Sequence, residues 1–150
     1  MRKIYVKEQF CIGCRLCEVH CRVHHSSSQD IIKAFKKESP HPLPRVRVEL
    51  EGPLAFSVRC QHCDEPWCVY SCLTGALSRD PDSGVVNVDE ERCSGCWTCL
   101  LACPFGAISR DLSRGQMAKC DLCSGEDIPA CVANCPNEAL VCVEEKEAAK

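Results

Sequence analysis

Residues 93–104 read CSGCWTCLLACP, which gives four cysteines the spacing C-x2-C-x2-C-x3-C, followed directly by a proline. The same cysteine spacing begins at Cys11. Two looser groups begin at Cys60, with gaps of two, four and three residues, and at Cys120, with gaps of two, seven and three. The four groups contain Cys11, Cys14, Cys17, Cys21, Cys60, Cys63, Cys68, Cys72, Cys93, Cys96, Cys99, Cys103, Cys120, Cys123, Cys131 and Cys135. Cys142 is the one cysteine of the 17 outside them, so the pattern accounts for nearly all of the thiol groups.

The composition leaves little material for an ordinary apolar core. Hydrophobic residues make up 45% of the 150 positions, but that share includes the 17 cysteines, and Leu, Ile, Val and Phe together number only 34. The formal net charge of −3 is too small for a chain kept disordered by self-repulsion. A folded chain of this kind therefore needs cohesion from whatever its cysteines bind.

The first ten residues, MRKIYVKEQF, contain no apolar signal segment and no twin-arginine pair, which predicts a cytoplasmic protein. Because cytoplasmic thiols stay reduced, metal binding is a better explanation of the cysteines than disulfide bonds. No apolar run is long enough for membrane insertion, and the charge does not favour nucleic-acid binding. The sequence also lacks a dinucleotide fingerprint, a P-loop and a paired nucleophile and base, so we expect no substrate chemistry in the chain itself.

The first and third cysteine groups have the spacing with which bacterial-type ferredoxins hold [4Fe–4S] cubes. Three thiolates two residues apart lie on one tight loop, and Gly13 and Gly95 suit its sharp turn. The fourth cysteine, expected to start a short helix, would then point to a neighbouring cube. Structural zinc is the alternative, but three cysteines within seven residues crowd a tetrahedral site, so zinc stays open only for one of the looser groups.

An internal repeat indicates how the groups are arranged. Similar five-residue stretches, LTGAL at 73–77, PFGAI at 104–108 and PNEAL at 136–140, follow three of the groups and predict a turn into a strand. A turn signal and three valines at 85–88 predict a returning strand within the middle of the chain. Strands are also expected at Tyr5–Phe10 and Leu140–Val143.

The fold class that follows is α+β, with two nested ferredoxin-like two-cluster units built from short helices and small hairpins around four cubes. Residues 60–110 are predicted to form the inner unit, and residues 1–21 plus 111–150 the outer one. Residues 22–59 are an insertion with a basic helix near Ile31–Lys37, a proline-rich loop and a strand at Val46–Leu50. We expect this insertion either to pack across the cluster units or to form a docking surface for a catalytic partner.

The remaining conspicuous residues receive simple interpretations. With sixteen cysteines as a complete ligand set, the histidines at positions 20, 24, 25, 41 and 62 are expected to have no ligand role. Trp67 and Trp97 each adjoin a ligand group and are expected to shield cubes from water. Cys142 lies in a predicted strand and is expected to be a small buried apolar residue.

The motifs RCQHCDEPWC at 59–68, KCDLC at 119–123 and PAC at 129–131 resemble those of four-cluster electron-transfer subunits. Members include the DMSO reductase β-subunit, the hydrogenase-linked HydN-like proteins, the ferredoxin-like partner of CO dehydrogenase and the small polyferredoxin subunit of tungsten aldehyde oxidoreductases. The resemblance implies four cubes, held by Cys11, Cys14, Cys17 and Cys135; by Cys120, Cys123, Cys131 and Cys21; by Cys60, Cys63, Cys68 and Cys103; and by Cys93, Cys96, Cys99 and Cys72.

The same resemblance implies a function in anaerobic metabolism. The chain would relay electrons between a large catalytic oxidoreductase subunit and a second redox partner, a ferredoxin or a flavin or NAD(P)H oxidoreductase. Catalytic subunits of the CO dehydrogenase, tungsten or molybdenum aldehyde oxidoreductase, formate dehydrogenase and hydrogenase types all fit this expectation. The alternative is a free-standing polyferredoxin carrier that docks transiently to several enzymes.

Overall fold

The computed structural model describes residues 1–144, and the last six residues of the predicted outer unit lie outside this part. The strands are β1 Arg2–Val6, β2 Val46–Glu51, β3 Leu54–Arg59, β4 Leu77–Arg79, β5 Val86–Val88, β6 Ser109–Asp111, β7 Gln116–Ala118 and β8 Leu140–Glu144. The helices are α1 Leu16–His24, α2 Ile31–Lys36, α3 Trp67–Tyr70, α4 Thr98–Ala102 and α5 Ala130–Ala133, with a 3₁₀ turn at Glu8–Phe10. Most of these elements are too short to be stable in isolation.

The strands form four separate antiparallel pairs, β1–β8, β2–β3, β4–β5 and β6–β7. In the first pair Ile4 lies opposite Cys142, so the two ends of the described chain are joined. Helix α1 packs against α5, and α3 packs against α4. These contacts bring the first cysteine group to the fourth and the second group to the third.

Two of the predicted local structures need correction. The strand expected at Tyr5–Phe10 ends at Val6, because the backbone N–H groups of Phe10 and Cys11 donate to the carbonyls of Lys7 and Glu8, at 3.0 Å each, and close a 3₁₀ turn. The strands expected at Val46–Leu50, at residues 85–88 and at Leu140–Val143 are confirmed to within one residue at each end.

The expectation that the fourth cysteine starts a helix is also wrong. Helix α1 already contains the third and fourth cysteines of its group, and α4 begins before Cys99 and ends before Cys103. The cause is the backbone just before these helices. Arg15 and Trp97 adopt left-handed conformations, with φ of 61° and 63°, and each ends the ligand loop two residues before the third cysteine of its group.

Two small cores hold the elements together. The first combines Ile4, Val46, Val48, Leu122 and Leu140 with four buried cysteines of the first and fourth groups. The second consists of Leu77, Val86, Cys99, Ile108 and Met117. Thiol groups are thus core members, which explains how so few large aliphatic residues suffice. Within residues 1–144 no helix is long and apolar enough to cross a lipid bilayer.

The insertion at 22–59 is packed onto the first core through its strand β2, which supplies Val46 and Val48. Its helix α2 lies against α1 with Ala34 fully buried, and the Arg22 guanidinium stacks on the Phe35 ring at 4.7 Å from its centroid. The α2 N-terminus is capped by the Asp30 carboxylate, which accepts a hydrogen bond from the Lys33 N–H at 2.9 Å.

Loss of this cap should loosen α2 without affecting the cysteine groups. Asp30→Ala is expected to reduce the stability of the helix by about 1 kcal/mol, because one amide donor of the first turn loses its partner. Hydrogen exchange should show faster exchange of the α2 amides at unchanged iron content. Asp30→Asn keeps a capping oxygen and is the matched control, and equal acceleration in both variants would contradict the capping role.

Candidate metal centres

All four cysteine groups begin with the same backbone turn. The residue before the second cysteine has positive φ in each group: 68° at Gly13, 48° at His62, 67° at Gly95 and 59° at Leu122. Glycine adopts this conformation freely, whereas other residues adopt it at a cost in energy. The internal repeat seen in the sequence therefore extends to the backbone, including the two looser groups.

Two sets of four cysteines each line one cavity. The first cavity is lined by Cys11, Cys14, Cys17 and Cys135, and the second by Cys72, Cys93, Cys96 and Cys99. In both sets three cysteines come from one loop and one from another group. Among the cysteines, only the second ones of the first and third groups, Cys14 and Cys96, are exposed.

The other eight ligand candidates also gather across groups. Burial, together with the nearby sulfurs of Cys120 and Cys123, raises the pKa of the Cys21 thiol to about 12. Burial likewise raises the pKa of Cys131, with contributions from the same fourth-group sulfurs and from Cys21. In the second group, burial together with the nearby sulfurs of Cys60 and Cys103 raises the pKa of Cys68 to about 11.

This arrangement fits a metal cluster chemically. A ligating cysteine must be a thiolate, and the raised pKa values of Cys21, Cys68 and Cys131 mean that burial and neighbouring thiols oppose thiolates at these positions unless a cation compensates. Within residues 1–144 no three His, Cys, Asp or Glu side chains converge on a point that a single metal ion could occupy.

Amide N–H groups point at several of the sulfurs. The N–H of Arg45 donates to Cys21 Sγ at 3.1 Å, and Ala107 N–H donates to Cys103 Sγ at 3.4 Å. A further such bond runs from Leu122 N–H to Cys120 Sγ at 3.4 Å. Hydrogen bonds of this kind stabilise negative charge on sulfur and help to set cluster potentials.

A charged network positions Cys21. His25 Nδ1 lies 2.7 Å from the Cys21 carbonyl oxygen, and its Nε2 lies 3.2 Å from Asp121 Oδ1. Arg45 Nη1 donates to Asp121 Oδ2 at 2.7 Å. Burial acts to raise the pKa of the Asp121 carboxyl, but the His25 hydrogen bond and the Arg45 charge outweigh it and hold that pKa well below its usual range. His25 was expected to have no ligand role, and in the structure it forms hydrogen bonds that position a candidate ligand.

Three further expectations can be compared with the structure. Trp67 is 60% exposed, so the prediction that it shields a cube is wrong, whereas Trp97 is half-buried and packs against the second core. Cys142 lies in β8 and packs against the first core. His62 is buried, with its ring in contact with β5, although the spacing of the cysteines gave no reason to expect this.

Comparisons with known proteins likewise find iron–sulfur and electron-transfer proteins. A family described as the 4Fe–4S dicluster domain matches residues 53–145. The electron transport protein HydN of Escherichia coli K12 is 40% identical, with 91% of this chain and 85% of the relative aligned. The thiosulfate reductase electron transfer subunit PhsB of Salmonella typhi is 36% identical over 89% of this chain and 70% of its own. Among solved structures, a chain of the active site complex BamBC of benzoyl coenzyme A reductase superposes with a TM-score of 0.51 and 25% identity, covering 98% of this chain and 83% of that one.

Proposed function

Since the chain belongs to the family of 4Fe–4S dicluster proteins, we propose that it relays electrons through four [4Fe–4S] cubes between a catalytic oxidoreductase subunit and a second redox partner. It is a small ferredoxin-like protein of mixed helix and strand, and relatives are named electron transport or electron transfer proteins rather than catalytic enzymes. The observation that supports the proposal is that cysteines of different sequence groups lie together: two sets of four each line one cavity, and thiols of the remaining groups affect one another's pKa.

The proposed ligand sets follow those gatherings. They are Cys11, Cys14, Cys17 and Cys135 for the first cube; Cys120, Cys123, Cys131 and Cys21 for the second; Cys60, Cys63, Cys68 and Cys103 for the third; and Cys93, Cys96, Cys99 and Cys72 for the fourth. When bound, the cubes supply reversible one-electron chemistry, and the chain supplies thiolates, amide donors and shielding from water.

Two nested units are the proposed organisation. The first core and the α1–α5 contact support an outer unit of residues 1–21 plus 111–150, and the second core and the α3–α4 contact support an inner unit of residues 60–110. The hairpin β6–β7 extends the inner unit beyond its expected boundary, because Met117 belongs to the second core.

The proposed cubes form a line. Burial raises the pKa of Cys99 of the fourth cube, and Cys68 of the third cube lies close enough to raise that pKa as well. Cys60 of the third cube acts in the same way on Cys120 of the second. Cys17 and Cys21, one helical turn apart on α1, connect the first cube to the second. The exposed cysteines, Cys14 and Cys96, therefore belong to the two terminal cubes, where electrons would enter and leave.

Exposed apolar side chains surround the first cube, at one end of the proposed line of cubes, and support docking of a partner there. Phe10 and Ile12 line the cavity of the first cube and are largely exposed, and the side chain of Leu50 from the insertion lies beside Gly13 in the same ligand loop. PhsB is by name a subunit of a reductase, and we propose a large catalytic subunit as the partner of this chain as well. This surface does not discriminate among the expected partners, which are of the CO dehydrogenase, aldehyde oxidoreductase, formate dehydrogenase and hydrogenase types.

A reductive titration under anaerobic conditions tests the relay directly. Because each cube accepts one electron, the holoprotein is expected to take up about four electrons per chain while its brown absorbance bleaches. Uptake of about two electrons at full iron content would contradict a four-cube relay.

Co-purification separates the proposed subunit from the free-standing polyferredoxin carrier. A dedicated subunit is expected to elute with a large catalytic protein, and Leu50→Lys together with Ile12→Lys should release it without loss of iron. A chain that elutes as a monomer from its native source would favour the carrier.

A further inference from the structure

Three polar side chains are buried between the second and third proposed cubes. Arg59 and His62 are each 2% exposed, and Lys119 is 3% exposed. Arginine and lysine are almost never this deeply buried unless an anionic group compensates the charge. Within the described part of the chain, no carboxylate forms an ion pair with either cation, so the structure leaves the compensating charge to be identified.

The hydrogen bonds of these residues fix their orientation. Lys119 Nζ donates to the carbonyl of Val86, in β5, and to the carbonyl of Cys120 at 2.7 Å. The Val86 N–H donates to His62 Nδ1 at 3.0 Å. Since Nδ1 accepts this hydrogen bond, the ring is neutral and its proton is on Nε2.

Five buried side-chain atoms of residues 1–144 have no hydrogen-bond partner; two of them, Ser57 Oγ and Arg79 Nε, lie outside Arg59 and His62, and the other three are N–H donors of these two residues. They are Nε and Nη1 of Arg59 and Nε2 of His62. A buried donor without an acceptor is unfavourable, and native proteins seldom retain one. A donor set of this kind indicates that an acceptor bearing negative charge occupies the space in front of it.

The neighbouring groups are cysteine sulfurs of two different proposed cubes. Burial lowers the pKa of Arg59, and the sulfurs of Cys120, Cys131 and Cys60 oppose that effect. Lys119 acts on Cys68 and on Cys120, lowering the pKa of both thiols against the larger effect of burial. The terminal cubes differ. The strongest charge effects on Cys17 of the first cube come from Glu18 and other thiols, and those on Cys99 of the fourth come from thiols.

Arg59, His62 and Lys119 form a junction between the two middle cubes. Their positions within the internal repeat differ from the equivalent positions of the first and third cysteine groups. Arg59 and Lys119 each precede the first cysteine of their group, and the corresponding Phe10 and Arg92 are exposed. His62 occupies the left-handed position that is glycine in the first and third groups. A buried histidine held in a strained backbone conformation, where glycine would fit freely, points to a use for its side chain.

We propose that Arg59, His62 and Lys119 raise the reduction potentials of the two middle cubes above those of the terminal cubes, by placing N–H donors and positive charge against their sulfur atoms. The inference rests on the proposed function. Reduction adds one electron to a cube, forms and breaks no bond, and changes its charge with four thiolates from about −2 to about −3. Fixed cations in a poorly solvated junction stabilise the more negative state. Electrons that enter at either terminal cube would then collect on the second and third cubes.

The test is a redox titration of the holoprotein followed by electron paramagnetic resonance. In the wild type, two of the four cubes are expected to reduce at higher potential than the other two. Arg59→Gln should lower the equilibrium constant for reduction of that pair at least tenfold, which is about 59 mV for a one-electron couple. His62→Gly should lower it in the same direction, and it suits the backbone because glycine occupies the equivalent position in two other groups.

A control separates the donor effect from general charge. Arg110→Gln removes an exposed cation that stacks on Trp97, away from the junction. It is expected to change the equilibrium constants less than twofold.

The outcomes distinguish this inference from the proposed function. If Arg59→Gln and His62→Gly both keep their full iron content and show unchanged reduction potentials, the three residues do not set the potentials of the middle cubes. The proposed four-cube relay would still hold. Should Arg59→Gln fail to retain iron, His62→Gly decides the matter alone, and an unmoved potential in it would contradict the inference. A wild type without four reducible cubes would instead overturn the proposed function.

Discussion

A Cys131→Ser variant is expected to retain about 12 of about 16 irons and to lose one of four reducible cubes. Cys131 is buried in the first core, and burial together with the sulfurs of Cys120 and Cys21 raises its pKa. A serine hydroxyl is a poor ligand for iron, which prefers soft thiolates. Losing the cube would also leave three thiols buried without a cation, so the midpoint of thermal unfolding should fall. Iron analysis and anaerobic thermal unfolding measure both effects.

Cys142→Ser is the matched control for this experiment. Cys142 packs against the same core from β8, and we place it in no ligand set. The variant should keep all of its iron and lose little stability, because the side chain is only partly buried. Equal iron loss in the two variants would show that the ligand assignment is wrong.

A Gly95→Ala variant is expected to disrupt the third cysteine group. Gly95 has a φ of 67°, and a Cβ added there would lie 2.1 Å from the backbone carbonyl oxygen of Gly115. The left-handed conformation costs a non-glycine residue about 1–2 kcal/mol, and displacing the β6–β7 turn adds about 1–3 kcal/mol. The hairpin carries Met117 of the second core, so we expect a marked loss of stability and of the iron bound by this group.

Gly115→Ala controls for the backbone strain without the clash. Gly115 has a φ of 65°, but no atom lies within 4 Å of a Cβ built there. The expected loss is therefore only about 1–2 kcal/mol, with the iron content unchanged. Anaerobic unfolding curves compare the two variants, and equal destabilisation would contradict the close approach of the two backbones.

The ligand loops could be predicted from the sequence because their constraint is local. Two residues between cysteines leave few backbone paths, and glycine before the second cysteine indicates a positive φ, as found at Gly13 and Gly95. The helix positions were predicted less well. Nothing in Arg15 or Trp97 indicates a left-handed residue, and these two positions determine where α1 and α4 begin.

The junction between the cluster pairs could not be predicted from spacing. The sequence places Arg59 and Lys119 directly before ligand cysteines, where they are expected to offset cluster charge, but it does not show that both are buried. The hydrogen bonds of His62 and Lys119 to Val86 of β5 depend on the fold and have no signal in the sequence. One signal was available. Aligning the four cysteine groups places His62 and Leu122 on the glycines of the other two groups, which marks both as residues retained at a strained position.

Anaerobic analysis of iron, acid-labile sulfide and zinc in the purified chain tests the central claim most directly. Four cubes held by sixteen cysteines predict about 16 irons and about 16 sulfides per chain, with no stoichiometric zinc. About eight irons together with two zinc ions would contradict the account, because the looser second and fourth groups would then hold single metal ions rather than cubes.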